Sequence, residues 1–188
     1  MKYSIDKMKC LDMYVNSLSD DEYLKLKDRI HTSDENIVNL VSLDLHLQNF
    51  NALLQNATIQ NDLFSLNTFA KKLRWKNNIE KILTNNSFEA LVLTDINRTI
   101  LWVNDGFATM TGFSKKDAIH NTPSFLQGSS TSKVTRARIR EKLKMNQPFK
   151  EVIVNHRKDN TTYKCELHIF PLYNEETTHF LALERRIA

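Results

Sequence analysis

More than a hundred residues pass before this chain meets its first backbone breaker. Its three glycines, Gly106, Gly112 and Gly128, and its three prolines, Pro123, Pro148 and Pro171, all lie in the second half of 188 residues. A stretch without either residue is free to stay helical, whereas clustered turn formers punctuate short strands. Charge divides at the same place: basic and acidic residues balance over residues 1–87, so the net +4 belongs to the second half. A content of 41% hydrophobic and 26% charged residues is that of a globular chain and excludes disordered and collagen-like ones. No apolar run reaches the length of a membrane span, and Met1 to Cys10 alternates charged with apolar residues where a signal peptide would be continuously apolar. The expectation is a cytoplasmic protein with no membrane partner. Cys10 and Cys165 are too few for a disulfide framework and sit in no metal-binding spacing, so both read as free thiols.

Residues 1–87 are expected to form a helical segment used for packing and dimerisation. Ser19 followed by Glu22 has the spacing of a capping box, and Thr32 or Ser33 ahead of Asp34 and Glu35 repeats the start signal. Leu40, Leu43, Leu47, Phe50, Leu54 and Ala57 recur at alternating intervals of three and four, which stacks them as one stripe on a helix. Leu43, Leu45 and Leu47 also fit a short strand, but the length of the pattern and the lack of breakers favour helix. A second amphipathic stretch covers Asp62 to Leu83, with Leu66, Phe69, Leu73 and Ile79 as candidate buried positions.

From residue 88 the period changes. Phe88 to Asp95 and Arg98 to Asn104 are strand-like runs joined by a turn, and Lys133 to Met145, led by the cap candidates Ser130 and Thr131, is a helix. Phe149 to Arg157, Thr161 to Pro171 and Thr178 to Ile187 are three further strands. Two strands, helices, then three strands is an α+β order with a five-stranded antiparallel sheet.

Trp102-Val-Asn-Asp-Gly-Phe107, Met110-Thr-Gly-Phe113, Phe125-Leu-Gln-Gly128 and Asn155-His-Arg-Lys-Asp159 resemble, in order, the motifs of the PAS superfamily, and within it the flavin-binding light-oxygen-voltage (LOV) branch. The resemblance covers residues 88–188 and implies small helices closing a pocket over one face of the sheet, in a domain that senses a ligand, light or redox state. In the photosensing branch a cysteine within Asn-Cys-Arg-Phe-Leu-Gln bonds to the flavin. Here the aligned residues are Thr122, Pro123 and Ser124, so Pro123 stands where the photoactive cysteine would be and the phosphate-contacting arginine is lost. Proline carries no nucleophile, which excludes an adduct there. The resemblance makes Gln127, Arg140, Asn155, Cys165 and Glu184 the ligand-pocket candidates. Cys165 and Glu184 replace the family's asparagine and flavin-sensing glutamine, and a carboxylate cannot donate as an amide does. His120 replaces a glycine of the pattern. No cofactor is therefore expected, with flavin mononucleotide (FMN) as the alternative.

Other chemistry is not indicated. The six histidines have no metal spacing, and no nucleophile elbow, zinc-helix motif or phosphate-cradling glycine loop is present, so no enzyme is expected. The basic helix bearing Lys133, Arg136, Arg138, Arg140, Lys142 and Lys144 spreads its charge around its circumference and reads as a solvated face, with no nucleic-acid partner. Strand alternation places Tyr163, Cys165, Leu167 and Ile169 with Phe180, Ala182 and Glu184 toward the pocket. Leu181 and Leu183 then lie on the outer face beside Val152 and Val154. That apolar face needs a cover, and the stripe of Leu40, Leu43, Leu47, Phe50 and Leu54 is the expected one, from the same chain or a dimer mate. The function expected is a non-enzymatic PAS-type sensory protein. It is expected to be a homodimer that takes a small-molecule ligand and signals to a downstream partner through helices packed on the sheet. A flavin-based light or redox sensor without an adduct, or a purely structural dimerising adaptor, are the alternatives.

Overall fold

The computed structural model describes the backbone of residues 42–187 and the side chains of residues 57–187. Leu40, Cys10 and both N-terminal capping motifs lie outside the described residues. Residues 52–188 form one compact unit. Helix α1, Ser42–Leu73, carries the positions of Leu43, Leu47, Phe50 and Leu54 and the start of the second amphipathic stretch on one 32-residue helix. It stops at Arg74, whose φ of 56° is left-handed. The Trp75 amide then reaches back 3.0 Å to the Ala70 carbonyl, a closure that normally uses glycine. With arginine in that place the break left no mark in the sequence, and the stretch expected to run to Leu83 is two helices. The second, α2, spans Ile79–Thr84 and is capped by the Asn78 side chain.

Five strands follow the expected order: β1 Ala90–Asp95, β2 Ile100–Val103, β3 Phe149–His156, β4 Thr162–Tyr173 and β5 Thr177–Ile187. They pair antiparallel throughout in the order β2-β1-β5-β4-β3, so β5 lies in the middle of the sheet. Between β2 and β3 come α3 (Asp105–Thr111), α4 (Lys115–Ala118), a 3₁₀ turn (Pro123–Leu126) and α5 (Lys133–Lys144). The cap of α5 is Ser132. Thr131, a cap candidate from the sequence, instead donates 2.6 Å to the Val154 carbonyl at the sheet edge and accepts from the Gly128 amide. His120 holds φ at 67°, so the turn keeps the left-handed backbone of a glycine, at a cost on the order of 1 kcal/mol. Gly106 is required by close approach, because a Cβ there would sit 1.8 Å from the Glu89 carbonyl oxygen.

The sheet has a core on each side. Ala90, Val92, Ile153, Tyr163, Cys165, Leu167, Ile169 and Phe180 pack inward against Phe107, Met110, Ala118 and Leu126 of the connecting helices. Leu91, Leu93, Leu172, Leu181 and Leu183 pack outward against Leu66, Trp75, Ile79 and Leu83, with Leu63, Phe69, Ala70 and Leu73 at the margin. The outer cover therefore comes from residues 63–83 of the N-terminal helical half, including the expected Leu66, Phe69, Leu73 and Ile79; the side chains of the Leu40 to Leu54 stripe lie outside the described residues. Val152 shares the outer face, as expected, but is 42% exposed, so among the described residues the cover stops short of this part of β3. Burying the five outer leucines of the sheet is worth roughly 7–15 kcal/mol before ordering costs, enough to hold the helices down.

One amide ties the two cores together. Asn104, 2% exposed, caps α3 by accepting from the Phe107 amide at 3.0 Å and also accepts from the Leu91 amide of β1 at 2.9 Å. Its nitrogen donates 2.9 Å to the Asp62 carboxylate of α1, which is itself 6% exposed. Burial raises the Asp62 pKa against the lowering effect of that hydrogen bond. Asn104→Ala strands two amides and a carboxylate in the interior, and a loss of about 3 kcal/mol or more is expected in urea unfolding.

Candidate functional site

On the inner face a cavity of about 200 Å³ opens between the sheet and the connecting helices. That is more than ten times the space of about 10–15 Å³ that one water needs. Its floor is the inward side of four strands: Val92 and Thr94 of β1, Ile153 and Asn155 of β3, Leu167 and Ile169 of β4, and Phe180, Ala182 and Glu184 of β5. Its roof is Thr122 to Gln127 and one face of α5, Arg136, Ile139, Arg140 and Leu143, with Arg98 of the β1–β2 turn beside it.

Four of the five sequence candidates line this cavity: Gln127, Arg140, Asn155 and Glu184. Pro123, which the resemblance aligns with the photoactive cysteine, lines it too. Cys165 does not line it. It lies fully buried beneath Glu184, its Sγ 3.8 Å from Glu184 Oε2, and burial pushes the thiol far above its usual pKa. A thiol held neutral and screened by another side chain is inert toward anything in the cavity. Tyr163, expected to face the pocket, instead packs in the inner core under Arg157, whose guanidinium lies 4.7 Å from the ring centre.

Glu184 is the unusual group. It is 3% exposed, and the Cys165 thiol is the only hydrogen-bond partner recorded for its carboxyl among the described residues. Burial raises its pKa to about 7. The neutral acid, which can both donate and accept, is therefore populated at neutral pH, and much of the difference from a glutamine amide at this position disappears.

Sequence reasoning missed Arg98 and Arg136. Arg136, Ile139, Arg140 and Leu143 recur at intervals of three and four, so their common face was readable as a helical stripe. The reading of α5 as a uniformly solvated basic helix is corrected by the structure, which sorts its charges. Arg138 and Lys142 converge on Glu151 at 2.7 and 3.0 Å, and the Arg138 hydrogen bonds hold that carboxyl down at about 2. Arg136 and Arg140 turn to the cavity. Arg98 sits in a left-handed conformation, φ 69°, which nothing in its residue type favours. Among the described residues no side-chain hydrogen bond or ion pair is recorded for Arg98, Arg136 or Arg140, so three cations stand at the cavity without counter-charges.

A family model described as PAS domain matches residues 89–185, just over half the chain. The chain belongs to the PAS family. Among curated proteins, a blue-light photoreceptor of Listeria monocytogenes serovar 1/2a is 34% identical over 89 residues, 47% of this chain and 35% of that protein. A nitrogen fixation regulatory protein of Klebsiella oxytoca is 30% identical over 101 residues, 53% of this chain and 20% of that protein. This PAS chain thus spans about a third or less of the length of these relatives. Solved structures agree in fold. The light-state LOV domain of the blue-light photoreceptor Aureochrome1 superposes with a TM-score of 0.53 at 22% identity, over 59% of this chain and 90% of that one. The LOV domain of the Erythrobacter litoralis EL346 blue-light activated histidine kinase gives 0.51 at 24%, over 55% and 98%. The photoreceptor and regulatory relatives support a sensory or signalling role. No described helix is long and apolar enough to cross a membrane.

The Glu184 carboxyl makes a signed prediction. A folded-state pKa raised from near 4.5 to about 7 means that the native protein holds a proton the unfolded chain has released. Stability then falls as pH rises across that window and levels off above it, by about 3 kcal/mol from this group. Glu184→Gln is expected to flatten the fall in urea-melting midpoints between pH 4.5 and pH 7 and to leave the variant more stable than wild type in mild alkali.

Proposed function

We propose that this PAS chain is a non-enzymatic sensory module whose inner cavity binds a flat small molecule without a covalent bond, and whose central strand passes the change to the helices on the opposite face. The observation that carries this reading is Glu184: a carboxyl almost wholly removed from water, aimed into a cavity, with a thiol as its one hydrogen-bond partner among the described residues. Burying such a group costs free energy unless something satisfies it. A ligand edge presenting both donors and acceptors would satisfy Glu184, Asn155 and Gln127 together, while the apolar floor of Val92, Ile153, Leu167 and Ile169 suits a flat ring.

The same strand supports the output. Phe180, Ala182 and Glu184 face the cavity, whereas Leu181 and Leu183 between them carry the helical cover. A movement of β5 that accommodates a ligand changes the packing under α1 and α2, a small bias between two arrangements read by a partner protein. The cytoplasm is the proposed location.

FMN is the specific candidate implied by the LOV resemblance, and the donor set fits it. Gln127, Asn155 and Glu184 would face its ring edge, and Arg98, Arg136 and Arg140 would hold its phosphate, in place of the arginine lost at Ser124. Bound there, it would supply blue-light absorption and reversible redox chemistry. What the chain does to it is orient the ring, screen it from water and hold a proton at Glu184. With Pro123 in the wall and Cys165 sealed away, no thiol adduct is expected.

Titration of the full chain with FMN, followed by quenching of flavin fluorescence, tests the reading. Saturable uptake is expected, with riboflavin, which lacks the phosphate, binding about tenfold or more weakly and Arg98→Ala with Arg140→Ala erasing that difference. No uptake of either at millimolar concentration contradicts flavin binding, and equal uptake of both contradicts the role given to the arginines.

A further inference from the structure

The outer face carries a second cavity, at the place where the apolar cover ends. A pocket of about 210 Å³ opens between the segment that leaves α2 and the outward sides of β3, β4 and β5. Leu183 is its single apolar lining residue. Asn85 and Ser87 stand on the helical side, while Lys150, His168 and Arg185 each come from a different one of three adjacent strands. Lys150 lies directly opposite His168, and two residues along β4 Glu166 lies opposite Arg185.

The charges in this pocket do not cancel. The Glu166 carboxylate is taken by Arg185 at 2.9 Å, and the same guanidinium donates 3.3 Å to the Ser87 hydroxyl. A guanidinium carries more N–H donors than these two bonds use. No hydrogen bond or ion pair is recorded for the Lys150 ammonium, which is not the case for any other charged group lining the pocket. His168 is held below its ordinary pKa by burial and then by the Lys150 ammonium, with Glu166 acting the other way.

We propose that this pocket is a second binding site, for a small doubly charged oxyanion: a phosphate, or the phosphoryl group of a small metabolite. Such an anion offers acceptors almost exclusively, and the walls offer the matching donors in an ammonium, a guanidinium, an imidazole and the Asn85 amide. Ser87 accepts from Arg185 and keeps its own proton for the ligand. A cation finds the one carboxylate already paired, and an apolar ligand finds almost no apolar wall. Negative charge beside His168 offsets the Lys150 ammonium and favours the imidazolium, so the anion binds with uptake of a proton. Once seated, it ties the segment after α2 to three strands at once and fastens the end of the helical cover to the sheet. The pocket is thus a second input to the outer helices, independent of what the inner cavity binds.

NMR titration of the full chain, with ionic strength held constant by chloride, tests this from about pH 6 to about pH 8, the range in which histidine titrates. Sulfate is the first probe, because its own charge does not change there. Saturable shifts are expected at the His168 ring and the amides of residues 85–87, with sulfate bound about fivefold or more tightly at the acid end. His168→Gln removes that pH dependence. Lys150→Gln weakens binding about fivefold or more and leaves the melting temperature without anion unchanged. Arg98→Ala with Arg140→Ala leaves the shifts in place, which separates this pocket from any anion held at the inner cavity. Glycerol phosphate binding more tightly than inorganic phosphate marks an esterified ligand, and the reverse order marks the free ion. Shifts that stay linear with concentration, or that survive both Lys150→Gln and His168→Gln unchanged, overturn the proposal.

Discussion

A twisted sheet whose central strand is apolar on both sides cannot stand with either side in water, and this requirement organises the molecule. Along β5, Phe180, Ala182 and Glu184 point one way and Leu181 and Leu183 the other. In β1 five consecutive residues from Ala90 to Thr94 are buried. Such strands need two covers. The connecting helices supply the inner one and leave a cavity beneath it; residues 63–83 supply the outer one. The Asp62–Asn104–Leu91 and Phe107 hydrogen bonds then link α1, β1 and α3 through one buried amide. Cavity and outer helices are thus two sides of one strand, close enough to be coupled by packing alone.

The fold was legible because its signals are local and repeated. Alternation placed the strands within a residue or two and assigned Leu181, Leu183, Phe180 and Glu184 to the correct faces. What was not legible depended on residues doing work outside their type. Arg74 ends a helix in a conformation usually left to glycine, so the boundary between α1 and α2 carried no marker. Thr131 turned its hydroxyl to a strand edge 23 residues away and left the cap to Ser132. The second amphipathic stretch was legible from its spacing, and its Leu66, Phe69, Leu73 and Ile79 are the residues that pack on the outer face of the sheet.

The site was legible to the same degree. The resemblance brought Gln127, Arg140, Asn155 and Glu184 to one cavity, while Cys165 proved to support Glu184 from beneath and stay out of the lining. Arg98 was invisible from sequence, because a turn residue with no motif around it reaches the cavity only through the fold. Substituting glutamine by glutamate looked disabling when the carboxylate was assumed charged. Burial moves its titration to about 7, and the objection weakens. Environment, more than residue type, decides what this position can bond to.

The central claim is that occupancy of the inner cavity is felt on the outer face through β5. Hydrogen–deuterium exchange of the full chain with and without saturating FMN tests it most directly. Altered protection is expected in the β5 amides from Phe180 to Glu184 and, in the same experiment, in residues 63–83 across the sheet. Protection changes confined to the 3₁₀ turn and α5, with β5 and the outer helices unmoved, would contradict it.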